Sequence, residues 1–570
     1  MSKMRTSKTK LSDLLFKINF HGYSKGLKQF LKNNSEFEYR FNKMEGSIAF
    51  RTTHRNNIRC LVLNSDLGNI PENLSRIYDE VYSLEVDKEK ILIQKFRFQK
   101  NNINNIRLVN SDVKSLPFPN NYFDLVVLGE IKINKQHNQS PKTKVIECLK
   151  EIKRVLALDG CLCAGVQNKY GLKIFGNEIE DDINNKIFSD SFYGYNSLFN
   201  SLGFQVKSYW TLPSHRKPHY SGKIEDDISL KWFFQNFDKK FSVDTKFKII
   251  GLFLKRLNIV IRKPLVKLFF PSFLFYCYRE EMPQVLEEMI MENTGFKNFI
   301  QNVRLTKVMY VLLDSFGNPR KILSCNLTKY DLTEKIFPIR RVFPEMKDPD
   351  EKIMIEDWLA GEVLDRLNSN DVNLTMKWLT DFQKRTMSEL LSLQEIEEEI
   401  ANLKNELDKI EAITYLPYDK WLDEYREHIS NIKLKKTAVH GDFQVRNILV
   451  DRKNLSVNVI DWDWRFQEKG NPIYDFIWLA INIMMLSNNA VEEFRSNLNG
   501  TGKAVSAIKI IKETMKKHFQ ADLDFVILFR FMILRFITIK IKDETTGYLL
   551  YVELLKILSG KNHFEQTFKT

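Results

Sequence analysis

The segment VHGDFQVRNILVDRKNLSVNVIDWDW places three side chains that carry oxygen ligands close together: Asp442, Asn447 and Asp461. We expect a loop that carries Asp442 and Asn447, followed by a β-hairpin whose second strand ends at Asp461. Phosphoryl transfer needs an aspartate that accepts the proton of the attacking hydroxyl, and acidic or amide oxygens that hold magnesium against the phosphates. These three side chains make up such a set, so the segment predicts phosphotransfer chemistry.

Three blocks in this part of the chain, HGDFQVRNIL, VIDWDW and NPIYDF, resemble the signature of the aminoglycoside phosphotransferase and choline kinase group. The resemblance implies a two-lobed, protein-kinase-like fold that uses ATP and Mg²⁺. It implies that Asp442 is the catalytic base and that Asn447 and Asp461 are magnesium ligands. It also implies that His440 braces the catalytic loop, which Asp475 of the third block fixes from below.

The resemblance covers roughly residues 302–558 and is weaker on the side where a nucleotide should bind. In the family, a lysine near the end of a strand in the first lobe grips the α and β phosphates. The corresponding strand here reads ILSCNL, with Ser324 or Cys325 in that place. Lys321 and Lys329 are the nearby substitutes.

Two further patterns belong to this first lobe. VMYVLLDS and RKILSCNL, joined through FGNP, predict a β-hairpin. EDWLAGEVL resembles the hinge of the family, and its Glu356 and Trp358 lie in the stretch whose backbone would offer hydrogen bonds to an adenine.

Between Arg59 and Asn168, β-like runs alternate with helical or turn-rich stretches: CLVLN, VYSLEVD, IRLVNSDV, FDLVVLGE, the helix VIECLKEIKRVLALDG, and CLCAGVQN. Such alternation is typical of a parallel, doubly wound sheet, whose ligands lie at the carboxyl ends of the strands. FQVKSYWTLP and SFLFYCYRE are expected to close this domain near Glu280. The predicted fold class is therefore α/β, a Rossmann-like domain followed by a two-lobed kinase-like fold.

This first domain resembles the class I S-adenosylmethionine-dependent methyltransferases. The resemblance implies that Glu85 binds the ribose hydroxyls of S-adenosylmethionine and that Asp112 meets the adenine edge. The first loop of that family is rich in glycine, whereas CLVLNSDLGN keeps Gly68 and has Asn64 and Asp66 at the two earlier positions. Asparagine tolerates the left-handed conformation, but Asp66 adds a charged side chain. Binding of S-adenosylmethionine and a non-catalytic, substrate-presenting role both remain open.

The segments NKYGLKIFGNEIEDD and YGYNSLFNSLGFQVKSYWTLPSHRKPHYSG resemble a methyltransferase branch associated with cell-surface polysaccharide and glycosyltransferase proteins. That resemblance implies a biological context rather than a substrate. His215 and His219 lie four residues apart in the second segment. Because Pro213 and Pro218 argue against a metal-binding helix, both histidines are expected in loops.

These patterns predict five parts of the chain. They are an N-terminal extension (1–46), a methyltransferase-like domain (47–281) with a basic helical insertion at about 224–270, a connecting helix (282–301), a first kinase-like lobe (302–360) and a helical second lobe (361–570). The 245–270 portion of the insertion is both basic and apolar. It is expected either to lie in a membrane interface or to pack on its own domain.

The composition argues against several classes of protein. The formal charge of +14 is scattered along the chain, without the clustered basic and aromatic residues of a nucleic-acid surface. The six cysteines are expected to be reduced core residues. No secretory signal is recognised, and the most apolar stretches are too short or too interrupted to span a bilayer. We expect a cytoplasmic protein whose membrane contact, if any, is peripheral.

Three functional hypotheses follow. In the first, the protein is bifunctional and phosphorylates a hydroxyl of a saccharide, glycan or small metabolite with ATP and Mg²⁺, with methylation by S-adenosylmethionine in cell-surface polysaccharide biosynthesis. In the second, only the kinase-like part is active and the first domain binds the acceptor. In the third, both sites have decayed and the protein is a scaffold.

Overall fold

The structure, a computed structural model, describes most of the chain in two compact units, Met1–Trp358 and Leu359–Thr570. The described residues are 2–34, 58–134, 140–171, 185–216, 218–236, 259–280, 294–303, 307–326, 337–339, 353–359, 361–462, 467–486, 489–542 and 548–559. Lys329 and residues 245–258 of the basic insertion lie outside these ranges.

The first unit is built on one large sheet and a small ribbon. Its strands are β1 (Arg59–Leu63), β2 (Glu80–Leu84), β3 (Ile106–Val109), β4 (Phe123–Leu128), β5 (Lys132–Asn134), β6 (Leu156–Gln167), β7 (Asn185–Ile187), β8 (Gln205–Pro213), β9 (Pro218–Lys223), β10 (Ser272–Tyr278), β11 (Asn298–Val303), β12 (Lys307–Leu313), β13 (Pro319–Asn326), β14 (Phe337–Ile339) and β15 (Ile353–Asp357). Strands β5 and β7 pair only with each other.

The large sheet has the order β3-β2-β1-β4-β6-β10-β8-β9-β11-β12-β13-β15-β14. Strands β3, β2, β1, β4 and β6 are parallel, and β10 is antiparallel to both of its neighbours, β6 and β8. The chain passes outward from β1 to β3 and returns to β4 on the other side of β1. The predicted doubly wound sheet is thus confirmed, and its order reverses between β1 and β4.

The helices of the first unit follow the strands as the alternating pattern predicted. They are α1 (Ser2–His21), α2 (Tyr23–Asn33), α3 (Asn69–Leu74), α4 (Lys88–Lys100), α5 (Pro141–Val155), α6 (Phe192–Ser201), α7 (Asp227–Gln235) and α8 (Ile259–Phe269). Helix α5 begins at a capping residue, since the Ser140 hydroxyl accepts a hydrogen bond from Thr143 N at 3.2 Å. The central strands are buried on both faces, which explains their continuous apolar sequence.

Strands β11 to β15 extend the same sheet rather than forming a sheet of their own. Strand β11 pairs with β9 through Gln301 and Ser221, and β12 contributes Tyr310 to an apolar cluster that also contains residues of β1 and β4. The predicted β-hairpin is present as β12 and β13. Residues 298–301, which were expected in the connecting helix, belong to strand β11 instead because they pair along β12.

The second unit is mostly helical. Its helices are α9 (Ser369–Thr386), α10 (Leu393–Leu407), α11 (Tyr418–Ser430), α12 (Ile473–Ile483), α13 (Ala490–Leu498), α14 (Val505–Phe519), α15 (Phe525–Lys542) and α16 (Tyr548–Ser559), with short 3₁₀ turns at Glu411–Ile413 and Val445–Asn447. Its strands are β16 (Glu362–Val363), β17 (Thr437–Val439), β18 (Ile448–Asp451), β19 (Ser456–Val459) and β20 (Gln467–Gly470). They form the sheet β16-β18-β19 and the ribbon β17-β20.

Helix α12 lies in the middle of this unit. All of its residues except Asn482 are buried, so its apolar sequence is explained by packing on every side. Among the helices that the structure describes, none combines the length and the apolar character that crossing a membrane requires.

A buried ion pair connects α3 to α4 in the first unit. The Arg97 guanidinium contacts the Glu72 carboxylate and donates to Leu67 O at 3.2 Å and to Asn69 Oδ1 at 3.0 Å. Arg97 and Glu72 side chains are each 4% exposed. This pair holds the segment that follows β1 against the helix that follows β2.

We predict that Arg97→Ala lowers the free energy of unfolding of the first unit by about 3–5 kcal/mol, because it leaves the Glu72 carboxylate buried without its main partner. The matched control is Arg76→Ala, since Arg76 is 46% exposed and lies 3.9 Å from the same carboxylate. We expect the control to change stability by less than about 1 kcal/mol. Urea unfolding monitored on the first unit measures both. Equal effects of the two substitutions would contradict the buried pair.

Candidate active sites in the two units

The catalytic loop predicted in the second unit is fixed to helix α12 through one carboxylate. Asp475 accepts hydrogen bonds from His440 N at 2.8 Å and from Gly441 N at 3.0 Å. Burial raises the pKa of Asp475 to about 7, although the two backbone donors oppose that rise. The predicted role of Asp475 as the aspartate beneath the loop agrees with this geometry.

His440 uses both ring nitrogens within the fold. Its Nδ1 accepts a hydrogen bond from Asp442 N at 3.2 Å, and its Nε2 lies 3.0 Å from Ile460 O, to which it donates. The ring also lies 4.4 Å from that of Trp462, measured between centroids. His440 therefore joins the catalytic loop to the segment that follows β19, as a bracing residue would.

The Asp442 carboxylate is buried and is oriented by three side chains. Its Oδ2 accepts from Gln444 Nε2 at 2.8 Å and from Asn447 Nδ2 at 3.3 Å. Its Oδ1 accepts from Trp478 Nε1 at 3.2 Å. Because hydrogen bonds hold both oxygens, the orientation of the carboxylate is fixed. A general base needs a fixed orientation if it is to remove one particular proton.

Asn447 precedes β18 and Asp461 follows β19, so both lie at the same end of this antiparallel hairpin, where Ile448 pairs with Val459. Asn447 Nδ2 donates to Asp442 O at 3.0 Å, which leaves the amide oxygen as the atom that could bind a cation. Asp461 follows β19 and has a positive φ of 63°. One carboxylate and one amide suit Mg²⁺, which completes its shell with water and phosphate oxygens. Within the described ranges, no three His, Cys, Asp or Glu side chains could hold a metal by themselves.

A cavity of about 270 Å³ lies beside the catalytic loop, within the second unit. It is bounded by side chains of α10, α12, α15 and β20, and by the loop at Gly441. Trp478 lines it and also donates to Asp442, so one side chain connects the cavity wall to the predicted base, which is not itself among the lining residues. Phe536 stacks on Trp478 with ring centroids 3.4 Å apart.

The polar part of this cavity is a cluster of three side chains, of which Tyr474 is buried while Arg535 and Glu399 are partly exposed. Arg535 Nη1 lies 3.0 Å from Glu399 Oε1, and its guanidinium carbon lies 4.2 Å from the centre of the Tyr474 ring. The Tyr474 hydroxyl donates to Glu399. Burial, together with the Glu399 carboxylate, raises the pKa of Tyr474 well above its ordinary value. Tyr474 is therefore a neutral donor, and Arg535 balances the charge of Glu399.

Three residues that support the catalytic loop were not predicted from the sequence: Gln444, Trp478 and Asn482. Asn482 Oδ1 accepts from Val445 N at 3.1 Å and thereby supports the 3₁₀ turn that carries Asn447. A signal did exist for Trp478, because it lies three residues after Asp475 and so occupies the same helical face. Nothing in the sequence distinguished the residues that α10 and α15 contribute to the cavity.

The residues predicted to contact a nucleotide lie in the first unit. Lys321 on β13 is opposite Asp357 on β15, with Nζ 3.4 Å from Oδ1, and its side chain is 40% exposed. Trp358 N donates to Arg320 O at 2.8 Å, so this N–H is already used in strand pairing. Glu356 pairs through its backbone with Ile322, and Lys329 lies outside the described residues. Which lysine serves a nucleotide stays a prediction.

In the first unit, the loop after β1 keeps the backbone conformation of a glycine-rich loop. Asn64, Asp66 and Gly68 all have positive φ, at 51°, 50° and 86°. The Asp66 carboxylate lies 3.0 Å from Lys90 Nζ, and its backbone N–H donates to Glu85 Oε2 at 3.0 Å. A Cβ on Gly68 would lie 2.8 Å from the Phe98 ring, so glycine is required there.

The predicted cofactor residues line or border one groove at the carboxyl edge of the sheet. Glu85 is buried and also accepts from Val86 N at 3.1 Å, while the exposed Asp112 accepts from Lys114 N at 3.0 Å. A cavity of about 100 Å³ is lined by Asn64, Asp112 and residues of α5. Glu85 lies next to the lining residue Val86, and its role at the ribose of S-adenosylmethionine, like that of Asp112 at the base, stays a prediction.

Comparison with protein families finds two matches in the predicted order. The family described as "Methyltransferase domain" matches residues 66–164, and the family described as "Phosphotransferase enzyme family" matches residues 358–504. Both predicted resemblances are confirmed. No curated protein matches the chain.

Several solved structures are similar to part of the chain. A SAM-dependent methyltransferase from Aquifex aeolicus is 15% identical, with 31% of this chain and 87% of that chain covered and a TM-score of 0.24. The YcgJ protein from Bacillus subtilis is 15% identical over 42% of this chain and 99% of its own, with a TM-score of 0.26. A putative methyltransferase complexed with the Trm112 activator from Haloferax volcanii is 14% identical over 45% and 97%, with a TM-score of 0.29.

We predict that Asp475 makes the second unit less stable as the pH rises from about 4 to about 7. In this window the unfolded chain ionises the carboxyl, whose ordinary pKa is 3.8, while the folded chain keeps it protonated up to a pKa of about 7. The folded state then binds more protons, so its stability falls with rising pH. Asp475→Asn has no such proton to bind and should lack this fall.

The measurement is the free energy of unfolding of each protein across this pH range, taken as the difference between wild type and variant. Asp423→Asn is the control, because the Asp423 side chain is 61% exposed and should keep the pH dependence of the wild type. An Asp475→Asn profile parallel to that of the wild type would contradict a raised pKa at Asp475.

Proposed function

Because the chain joins a methyltransferase domain to a phosphotransferase-family domain, we propose that it phosphorylates a hydroxyl of a saccharide or glycan with ATP. The phosphotransferase site is the catalytic loop of the second unit. The observation that carries this proposal is the oriented, buried Asp442 carboxylate, one of whose donors, Trp478, also lines a neighbouring cavity of about 270 Å³.

In this mechanism Asp442 accepts the proton of the acceptor hydroxyl as the oxygen attacks the phosphoryl group. Trp478 and Gln444 hold the carboxylate in position through their hydrogen bonds. The amide oxygen of Asn447 and the carboxylate of Asp461 would hold Mg²⁺, which neutralises phosphate charge when bound. Asp475 and His440 keep the loop in place but do not touch the reacting atoms.

The lining of the cavity favours a saccharide acceptor. Phe536 and Trp478 offer aromatic surface, and Asn402, Gln467 and Thr538 offer polar groups that can hydrogen-bond hydroxyls. The charges of Arg535 and Glu399 neutralise each other, so this pair does not favour a charged acceptor over a neutral one. This combination suits a neutral polyol, and it supports a glycan end over a nucleotide or lipid acceptor.

For the first unit we propose methyl transfer from S-adenosylmethionine to the same class of acceptor, in the cytoplasm and within cell-surface polysaccharide biosynthesis. The left-handed loop at Asn64, Asp66 and Gly68 and the positions of Glu85 and Asp112 support binding of the adenosine half. The pairing of Asp66 with Lys90 favours the competing hypothesis, in which the first domain only presents the acceptor.

We predict that Asp442→Asn lowers ATP-dependent phosphorylation of a glycan acceptor by about 10²–10⁴-fold, because the amide cannot accept the hydroxyl proton. The assay follows transfer of labelled γ-phosphate in the presence of Mg²⁺. Asp423→Asn, on the exposed face of α11, should keep wild-type activity and serves as the control. Undiminished transfer by the Asp442 variant would exclude this loop as the catalytic site.

We predict that Gln467→Trp raises the KM for the glycan acceptor by about tenfold or more and leaves the KM for ATP unchanged, because the indole fills the cavity. Glu468→Trp is the matched control, since neighbouring strand residues face opposite sides and Glu468 is exposed. An equal rise of both KM values, or no rise in the acceptor KM, would mean that the acceptor binds elsewhere.

A further inference from the structure

A second, smaller cavity lies at the carboxyl edge of the large sheet, where the strand order reverses between β1 and β4. Its volume is about 30 Å³, and it is lined by residues of the loop after β1, by Gly129 and Glu130 after β4, and by His215 and Arg216 after β8. Ligands of doubly wound sheets bind at this reversal point. The cavity is therefore in the place where chemistry is expected, yet neither family resemblance assigns a role to His215.

His215 is buried at this cavity without a hydrogen bond of ordinary geometry to its ring. The residue is 1% exposed, and neither Nδ1 nor Nε2 makes such a bond among the described residues. The Gly129 backbone is the one nearby group that favours a proton on the ring by hydrogen bonding, and it can engage only one of the two nitrogens. Burial lowers the pKa of His215 to about 4, so the imidazole is neutral and one nitrogen is a free acceptor at neutral pH. Buried polar atoms are almost always paired, so this nitrogen calls for a ligand or an ordered water.

The backbone around His215 is shaped to hold the ring in place. His215 N donates to Ser272 Oγ at 2.8 Å, which fixes the residue to β10. A Cβ on Gly165 would lie 2.6 Å from His215 Cδ2, so the ring packs directly against the backbone of β6. The backbone of His215 is thus fixed to β10, and its ring packs against β6.

Glu130 is one of two carboxylates that line the cavity, and the other, Asp66, pairs with Lys90. Glu130 is 4% exposed, pairs with Arg216, and neither of its carboxylate oxygens makes a hydrogen bond of ordinary geometry among the described residues. Burial, the larger effect, and the Arg216 charge oppose a proton on the His215 ring, whereas the Glu130 charge favours it. A neutral imidazole that faces a carboxylate is suited to take up a proton when a ligand delivers one.

The small cavity adjoins the 100 Å³ cavity proposed for adenosine, because Asn64 lines both. A ligand with its base near Asp112 and its ribose near Glu85 would extend past Asn64 toward Glu130 and His215. In S-adenosylmethionine this extension is the end that bears the sulfonium and the transferable methyl group.

We propose that the cavity formed by His215, Glu130 and Asn64 is the methyl-accepting compartment of the first unit, and that it takes a hydroxyl of the acceptor. This inference rests on the methyl transfer proposed above and assigns His215 as the proton acceptor. The acceptor O–H bond breaks and its proton passes to the His215 nitrogen. The oxygen forms the new C–O bond as the S–CH₃ bond of the sulfonium donor breaks, and the bonding pair stays on sulfur.

The test compares two ligands of the full-length protein by isothermal titration calorimetry at neutral pH. S-adenosylhomocysteine has no group at the methyl position, whereas sinefungin has an amino group there, which would donate to His215 and pair with Glu130. Hydrogen bonds to charged groups contribute about 1.5–3 kcal/mol, so we expect wild type to bind sinefungin roughly tenfold or more tightly than S-adenosylhomocysteine.

The variants are His215→Gln and Glu130→Gln, with His219→Gln as the matched control because His219 is exposed four residues later. We expect each of the first two to reduce the preference for sinefungin to below about threefold while binding of S-adenosylhomocysteine persists. The control should keep the preference. Two variants are used so that the test survives if one of them fails to fold. Binding of S-adenosylhomocysteine by a variant shows that its cofactor groove is intact.

Other results would overturn the inference in distinguishable ways. If wild type binds both ligands equally, or if the preference survives in both variants, the compartment is elsewhere and methyl transfer in the first unit still stands. If wild type binds neither ligand, the proposed methyl transfer fails together with the compartment. Phosphotransfer that depends on Asp442 is unaffected in either case.

Discussion

The candidate phosphotransferase site depends on one interaction, the acceptance of two backbone N–H groups by the buried Asp475 carboxylate. These N–H groups belong to His440 and Gly441, which immediately precede Asp442. Backbone groups buried without partners cost free energy, so the loop and the carboxylate stabilise each other in one arrangement. Helix α12 then presents Trp478 one turn later, where its indole donates to Asp442. One helix thus fixes both the position of the loop and the direction of its base.

The first unit also depends on the conformation of one loop, the loop that follows β1. A loop that turns at the carboxyl end of β1 needs three left-handed residues, for which glycine costs least. Here Asn64 and Asp66 adopt that conformation, and such non-glycine residues cost about 1–3 kcal/mol each unless their surroundings fix them. Asp66 is held through Lys90 and Glu85, so ion pairing and hydrogen bonding replace the freedom of glycine.

Strands and hairpins were predicted correctly from the sequence where their pattern involves only neighbouring residues. The parallel strands β1, β2, β3, β4 and β6 were predicted because a strand buried on both faces is apolar throughout. The hairpin of β18 and β19 was predicted because a turn separates two short apolar runs. The extension of the sheet through β11 was not predicted. It depends on pairing between β9 and β11, and an edge strand carries no sequence signal for the partner that it will meet.

By itself, the sequence determined the two domain types, their order, and the oxygen-bearing side chains of the catalytic loop, because these follow from residue types at fixed spacing. Only the tertiary structure decided which side chains surround them. Arg535 and Glu399 come from helices more than a hundred residues apart and meet at one cavity, and His215 reaches Glu130 across the sheet. Such sites form where distant segments pack together, and packing depends on the shape of the whole unit rather than on any local pattern.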